Sequence, residues 1–223
     1  MIDVINVKDR DEGNLKAHDI LKELVDTDTL LALSGGTSPD YKRMLVKPGD
    51  IIPGAICVVD ERYGKPFHKD STEQLLKKAG VKKFADDKCI ESHKILKGKS
   101  LEETGDIYAQ EMDELFEKFP KRVGVMGIGI NLHTGGIFPN SVAARAPKLA
   151  LGYEVEDEFK KRVTVTFRAL SEFTNFVILM FGNEKKEALV QMLDEGENDM
   201  HLYPAIFYRK APVKSFLITD IEI

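Results

Sequence analysis

The chain has 223 residues, and a hydrophobic fraction of 43% is enough to bury a substantial core. Its 32 Lys and Arg stand against 37 Asp and Glu, a formal charge of −5, which leaves no global basic field to draw nucleic acid or an anionic membrane. Cys57 and Cys89 lie beside apolar residues without metal-ligand spacing and read as buried thiols, the N-terminus is charged too early for a signal peptide, and no apolar run is long enough to span a bilayer, so a soluble cytoplasmic protein is expected.

Residues 2 to 7 read as a strand, and residues 14 to 25 as a helix with Ala17, His18, Leu21, Leu24 and Val25 on its buried face. Leu30 to Leu33 is an apolar strand that stops at Ser34-Gly35-Gly36-Thr37, after which Ser38-Pro39 opens a segment expected to be helical to about Leu45. Paired glycines let successive amides converge, and two hydroxyls stand beside them, so the turn is expected to form a donor nest at a helix start, suited to a phosphate.

Ala55 to Val59 is a short apolar strand ending in the charged run Asp60-Glu61-Arg62. Ser71 with Gln74, and Ser100 with Glu103, are spaced to cap two helices, the first ending at Gly80 and the second near Phe119. Val123 to Met126 is a buried strand leading into a second unusual loop, from Gly127 through His133 to Pro139. Strands follow at 163 to 167 and 176 to 181, then Gly182-Asn-Glu-Lys185, a helix to about Leu193, and a last strand at 215 to 219.

Short apolar strands alternating with helices predict an α/β fold: a doubly wound, mostly parallel sheet with helices on both faces, of the Rossmann-like kind. No repeat or linker interrupts residues 1 to 223, so a single domain is expected. Ligands of such sheets sit beyond the carboxyl ends of the strands, and the stretches 34 to 37, 60 to 64, 127 to 139 and 182 to 185 each follow a strand. All four are expected to converge on one crevice.

The order of these motifs resembles the 6-phosphogluconolactonase and glucosamine-6-phosphate deaminase superfamily, from about residue 30 to the C-terminus and including Arg162-Val-Thr-Val-Thr-Phe-Arg168 and Pro204-Ala205. The resemblance implies a phosphosugar substrate, with Ser34, Gly35, Gly36 and Thr37 on the phosphate and Lys185 as a point charge; Glu61, Arg62 and Arg168 are further candidates for holding the sugar phosphate. It implies His133 as the proton-handling residue, since an imidazole titrating near about 6.5 can take a proton from water and return it. No cofactor is implied and no metal signalled, because His68, His93 and His201 are scattered, without carboxylates at ligand spacing. The sequence sets no oligomeric state.

Deaminases of this superfamily carry Asp-Glu-Tyr where this chain has Asp60-Glu61-Arg62, and follow the histidine with a segment ending in a glutamate. Here Thr134-Gly135-Gly136-Ile137-Phe138-Pro139 has no glutamate and looks like the lactonase form. The resemblance therefore implies hydrolysis of 6-phosphogluconolactone, a step of the pentose phosphate pathway. In a deaminase or isomerase, Asp60 would be the base; a phosphosugar-binding protein without catalysis is a further alternative. Three residues depart from the family pattern: Asn131-Leu132 stands where Asp-Gly is usual, and Thr72 where lactonases tend to have Asn. An amide at Asn131 can still hold the imidazole by hydrogen bonding, without a carboxylate's charge, and Leu132 is expected to alter the loop's backbone angles.

Overall fold

The computed structural model describes residues 2–222. The strands of the main sheet are β1 (Ile2–Asn6), β2 (Thr29–Leu33), β3 (Ala55–Val58), β5 (Glu91–His93), β6 (Lys121–Gly127), β9 (Asn175–Met180) and β10 (Lys214–Thr219), with α1 (Arg10–Leu24) between the first two. All seven are parallel, in the order β1-β10-β9-β6-β2-β3-β5. Every residue of β2 is buried, as are five of six in β9, because a central parallel strand is covered on both faces. From β2 the chain winds outward through β3 and β5, then returns to β6 on the other side of β2 and winds outward again through β9 and β10. The β2/β6 boundary is thus the switch point where a doubly wound sheet opens a crevice.

A second sheet was not expected from the sequence. The charged run after β3 is itself a strand, β4 (Asp60–Arg62), which pairs antiparallel with β8 (Lys161–Val165), and β8 pairs with β7 (Ala150–Glu154). This small sheet is docked by α4 (Leu101–Lys118): a Cβ on Gly105 would lie 2.1 Å from the Gly152 amide, so only glycines allow the helix backbone to meet the strand so closely. Helices α2 (Thr72–Ala79) and α3 (Val81–Asp87) lie between β4 and β5, α5 (Phe167–Leu170) follows β8, and α6 (Lys186–Leu193) and α7 (Phe207–Lys210) lie between β9 and β10. No helix of the described residues is long and apolar enough to cross a membrane.

The structure changes three sequence-based expectations. First, α1 begins four residues earlier than residue 14, because Asp9 accepts the Glu12 amide at 2.8 Å and Glu12 reaches back to the Lys8 amide at 2.9 Å, a reciprocal cap. Second, Ser38-Pro39 does not open a helix. Asp40 caps instead, accepting the Arg43 amide at 3.1 Å, and only a π-helical turn, Lys42–Val46, follows. The glycine loop therefore gains little from a helix dipole, and its donors are local amides. Third, Cys57 is buried, but Cys89 is exposed, in a left-handed turn (φ 55°) after α3.

Candidate active site

A cleft of about 320 Å³ opens beyond the carboxyl ends of β2, β6 and β9. Its wall includes Ser34 to Pro39, Asp60, Arg62, Thr72, Gly129, His133, Arg162 and Lys185, with Asp157 to Phe159 from the β7–β8 turn. All four loops singled out in the sequence contribute. Gly36 adopts φ 91°, an angle costly for a side chain, which turns the chain sharply after β2.

The histidine loop is built to hold one ring. A Cβ on Gly129 would lie 2.2 Å from His133 Cε1 and Nδ1, so the imidazole occupies the space a side chain there would need. Its face stacks on Phe138, centroids 4.5 Å apart and 15° from parallel. Asn131 lies outside the cleft wall, but its Oδ1 meets His133 Nδ1 at 2.6 Å and the His133 backbone amide at 3.2 Å. An amide N–H only donates, so the Asn131 atom is the acceptor, and Nδ1 must carry the ring proton. The other nitrogen, Nε2, is then left with its lone pair. Burial above all, with the charges of Arg162 and Lys185, lowers the pKa of His133 to about 4, against an opposing pull from Asp157. This is well below the ordinary value the sequence implied. Leu132, where glycine is usual, keeps a glycine-like angle (φ 64°) while its side chain is buried.

Strand alternation sorts the charged residues. Asp60 faces Thr164 and Arg62 faces Arg162 across the β4–β8 pair, so Asp60, Arg62 and Arg162 share the cleft side while Glu61 points away. Glu61 does not line the cleft. It is fully buried, accepting the Thr72 amide at 2.7 Å and the Glu73 amide at 2.9 Å at the start of α2, and burial pushes its carboxyl up to about 8. It reaches the site through the backbone of two cleft residues, Thr72 and Arg62, accepting the Arg62 amide at 2.7 Å as well. Burial also raises Asp60, opposed by the nearby charges of Arg162 and Arg62.

Arg168 is elsewhere. It sits in α5, largely exposed, paired with Glu172, and lines no part of the cleft. The arginine that reaches the cleft from that motif is Arg162, which is buried, bonds Asp157 at 2.5 Å, approaches Asp60 at 3.9 Å, and leaves its Nε without a partner. Arg62 and Arg162 both lie against Phe159, at 4.3 Å and 5.7 Å from the ring centroid. Lys185 donates to Ser38 Oγ at 3.3 Å, and burial lowers its pKa. Its loop is tied down by the Gly182 amide, which donates to Asp220 at 2.9 Å. His68 lines no part of this cleft; its Nε2 meets the Arg62 carbonyl at 2.8 Å, bracing that strand end.

A glycine loop and basic side chains in one cleft, with a histidine whose free nitrogen can accept a proton, are chemically suited to an anion and to proton transfer. A family profile described as glucosamine-6-phosphate isomerases/6-phosphogluconolactonase matches residues 16–215. The chain belongs to this family. It is 26% identical over 190 residues to a 6-phosphogluconolactonase of a Nostoc species, covering 79% of this chain and 76% of that protein. It is likewise 26% identical over 225 residues to a glucosamine-6-phosphate deaminase of Lactococcus lactis, covering 94% and 93%. Identity alone thus does not divide the two arms of the glucosamine-6-phosphate isomerase/6-phosphogluconolactonase family for this member. The fold agrees with that of a 6-phosphogluconolactonase from Leishmania guyanensis, with a TM-score of 0.80 at 20% identity over 98% of this chain and 96% of that one.

Proposed function

We propose that the protein is a carboxylic ester hydrolase that opens 6-phosphogluconolactone to 6-phosphogluconate. The observation that carries this reading is the Asn131–His133 pair, which fixes the Nδ1–H tautomer and leaves Nε2 free on a ring that lines the same cleft as the glycine loop and Lys185. In this reading the amides of residues 35 to 37, the Ser38 hydroxyl and Lys185 hold the phosphate, and the lactone carbonyl lies toward His133. Nε2 takes a proton from water as the water oxygen bonds to the carbonyl carbon. The resulting imidazolium then gives that proton to the ring oxygen as the carbon–oxygen ester bond breaks. Arg162 and Arg62 supply positive charge where negative charge develops.

The six residues after His133 contain no carboxylate to assist sugar-ring opening, which favours the lactonase over the deaminase arm. The second reading, a deaminase or isomerase with Asp60 as base, is supported by the place of Asp60 in the cleft wall and by its raised pKa. Acid release from freshly made lactone, measured beside ammonia release from glucosamine 6-phosphate, decides between them. Hydrolysis no faster than the spontaneous rate, together with ready ammonia release, would overturn the lactonase reading. Tight 6-phosphogluconate binding with neither turnover would instead mark a non-catalytic binding protein.

A further inference from the structure

A second cleft, of about 460 Å³, lies between α2, α3 and the edge strand β5. The first turn of α2 divides it from the first cleft, with Thr72 lining one and Glu73 the other. Its wall is apolar at Val58, Leu76, Val81 and Ile90. At its rim Lys77 and Lys94 lie 5.3 Å and 5.4 Å from the Phe67 ring centroid, and neither makes a salt bridge among the described residues. One atom of its lining, Glu73 Oε2, is buried without a hydrogen-bond partner, while His93 Nε2 lies 3.5 Å from Glu91. Glu73 is 4% exposed and held rigidly, since its Oε1 accepts the Leu96 amide at 2.8 Å. A buried oxygen left idle bears its full desolvation cost, which an N–H from a ligand relieves.

These features ask for three things in one molecule. The apolar wall asks for a flat hydrophobic body, Glu73 for N–H donors on its edge, and the two lysines for an anion. A phosphosugar offers the anion but neither the flat body nor the N–H edge. We propose that this cleft is a second ligand site and that its ligand is a nucleoside monophosphate, base inward against Glu73 and phosphate outward at Lys77 and Lys94. The reading is independent of the chemistry assigned to the first cleft.

Calorimetric titration of the full chain with the common nucleoside 5′-monophosphates tests it, with the matching nucleosides and inorganic phosphate as half-probes. At least one monophosphate is expected to bind about tenfold or more tightly than either of its halves. Ser92 is an exposed residue of the cleft lining, so Ser92→Trp fills the space without disturbing the core and should abolish binding. Glu73→Gln keeps an acceptor for Leu96 but loses the idle carboxylate oxygen, and should weaken binding about tenfold; melting curves check that both variants fold, and Ser92→Trp decides alone if Glu73→Gln does not. His133→Ala should leave binding unchanged. The proposal is overturned if no monophosphate binds more tightly than millimolar, if phosphate alone binds as well, or if binding survives Ser92→Trp, its loss in His133→Ala then assigning it to the first cleft.

Discussion

Asn131 Oδ1 accepts two hydrogen bonds from His133, one from the ring Nδ1 at 2.6 Å and one from the backbone amide at 3.2 Å. The side chain thus reproduces the orienting role open to a carboxylate without its charge, so it does not offset the desolvation that, against the opposing pull of Asp157, lowers His133 to about 4. Orientation is kept and basicity is given up.

The acid limb of the pH profile follows from this pair. His133 is the neutral, proton-accepting form above about 4, so kcat/KM should hold steady on acidification well past the ordinary histidine value and fall only near pH 4. Asn131→Asp should move that limb upward by about one unit or more, because a carboxylate at the same bond stabilises the imidazolium. An unmoved limb means that the titrating group is not His133. Stability responds as well: an unfolded His133 titrates near about 6.5 and the folded one near about 4, so the unfolded chain binds the extra proton between these values. Melting temperature should therefore decline as pH falls through that window, and less steeply in His133→Gln.

Separate substitutions should divide proton transfer from phosphate holding. His133→Ala is expected to lower kcat by ~10² to ~10⁴-fold with affinity for 6-phosphogluconate nearly unchanged. Lys185→Ala should raise KM more than it lowers kcat, since a charge-assisted phosphate contact contributes about 1.5 to about 3 kcal/mol. Lys186 is exposed and lines no part of the cleft, so Lys186→Ala should leave both constants unchanged. Steady-state kinetics with product-inhibition constants reads all three.

The two arginines of one sequence motif should behave oppositely. Arg168→Ala removes an exposed i,i+4 pair with Glu172 and should alter stability by no more than about 0.5 kcal/mol, with activity intact. Arg162→Ala takes the bonded cation from Asp157 and leaves the buried Asp60 with Arg62 alone, and should cost about 3 kcal/mol by denaturant titration, along with turnover. Arg162→Lys, if it regains stability but not turnover, shows that the planar guanidinium matters to the chemistry beyond its charge.

That pair also shows where the sequence was legible. Leu30 to Leu33 and Phe176 to Met180 are continuous apolar runs, and both are buried central strands. The caps at Ser71 and Ser100 are local and formed where their spacing said, with Oγ accepting the Gln74 and Glu103 amides. The loops followed, because a strand's end is visible in its composition. Arg162 could not be chosen over Arg168 from such signals, since its facing depends on pairing with Arg62, far away in the chain. The same pairing turns Glu61 away from Asp60 and Arg62. At residues 38 to 40 two capping signals competed, and Asp40 prevailed over Ser38-Pro39, reducing a predicted helix to one wide turn.

Gly129 provides the strictest geometric test. Its φ is not in the left-handed region, so alanine meets no backbone objection there. The objection is steric, because the new methyl would stand 2.2 Å from Cε1 and Nδ1 of His133 and 2.9 Å from Nε2. The ring must shift, and it cannot do so without disturbing its bond to Asn131 or its stack on Phe138. Misplacing a catalytic group by about 1 Å can cost ~10²-fold in rate, so Gly129→Ala should lower kcat by about that factor. Affinity for inorganic phosphate and 6-phosphogluconate should persist, since the glycine loop and Lys185 are untouched. Gly36→Ala, which strains the glycine loop at φ 91° with no atom nearby to strike, should do the reverse, weakening affinity and sparing the imidazole. Equal losses of kcat and affinity in both variants would show that the two loops do not act as separate devices.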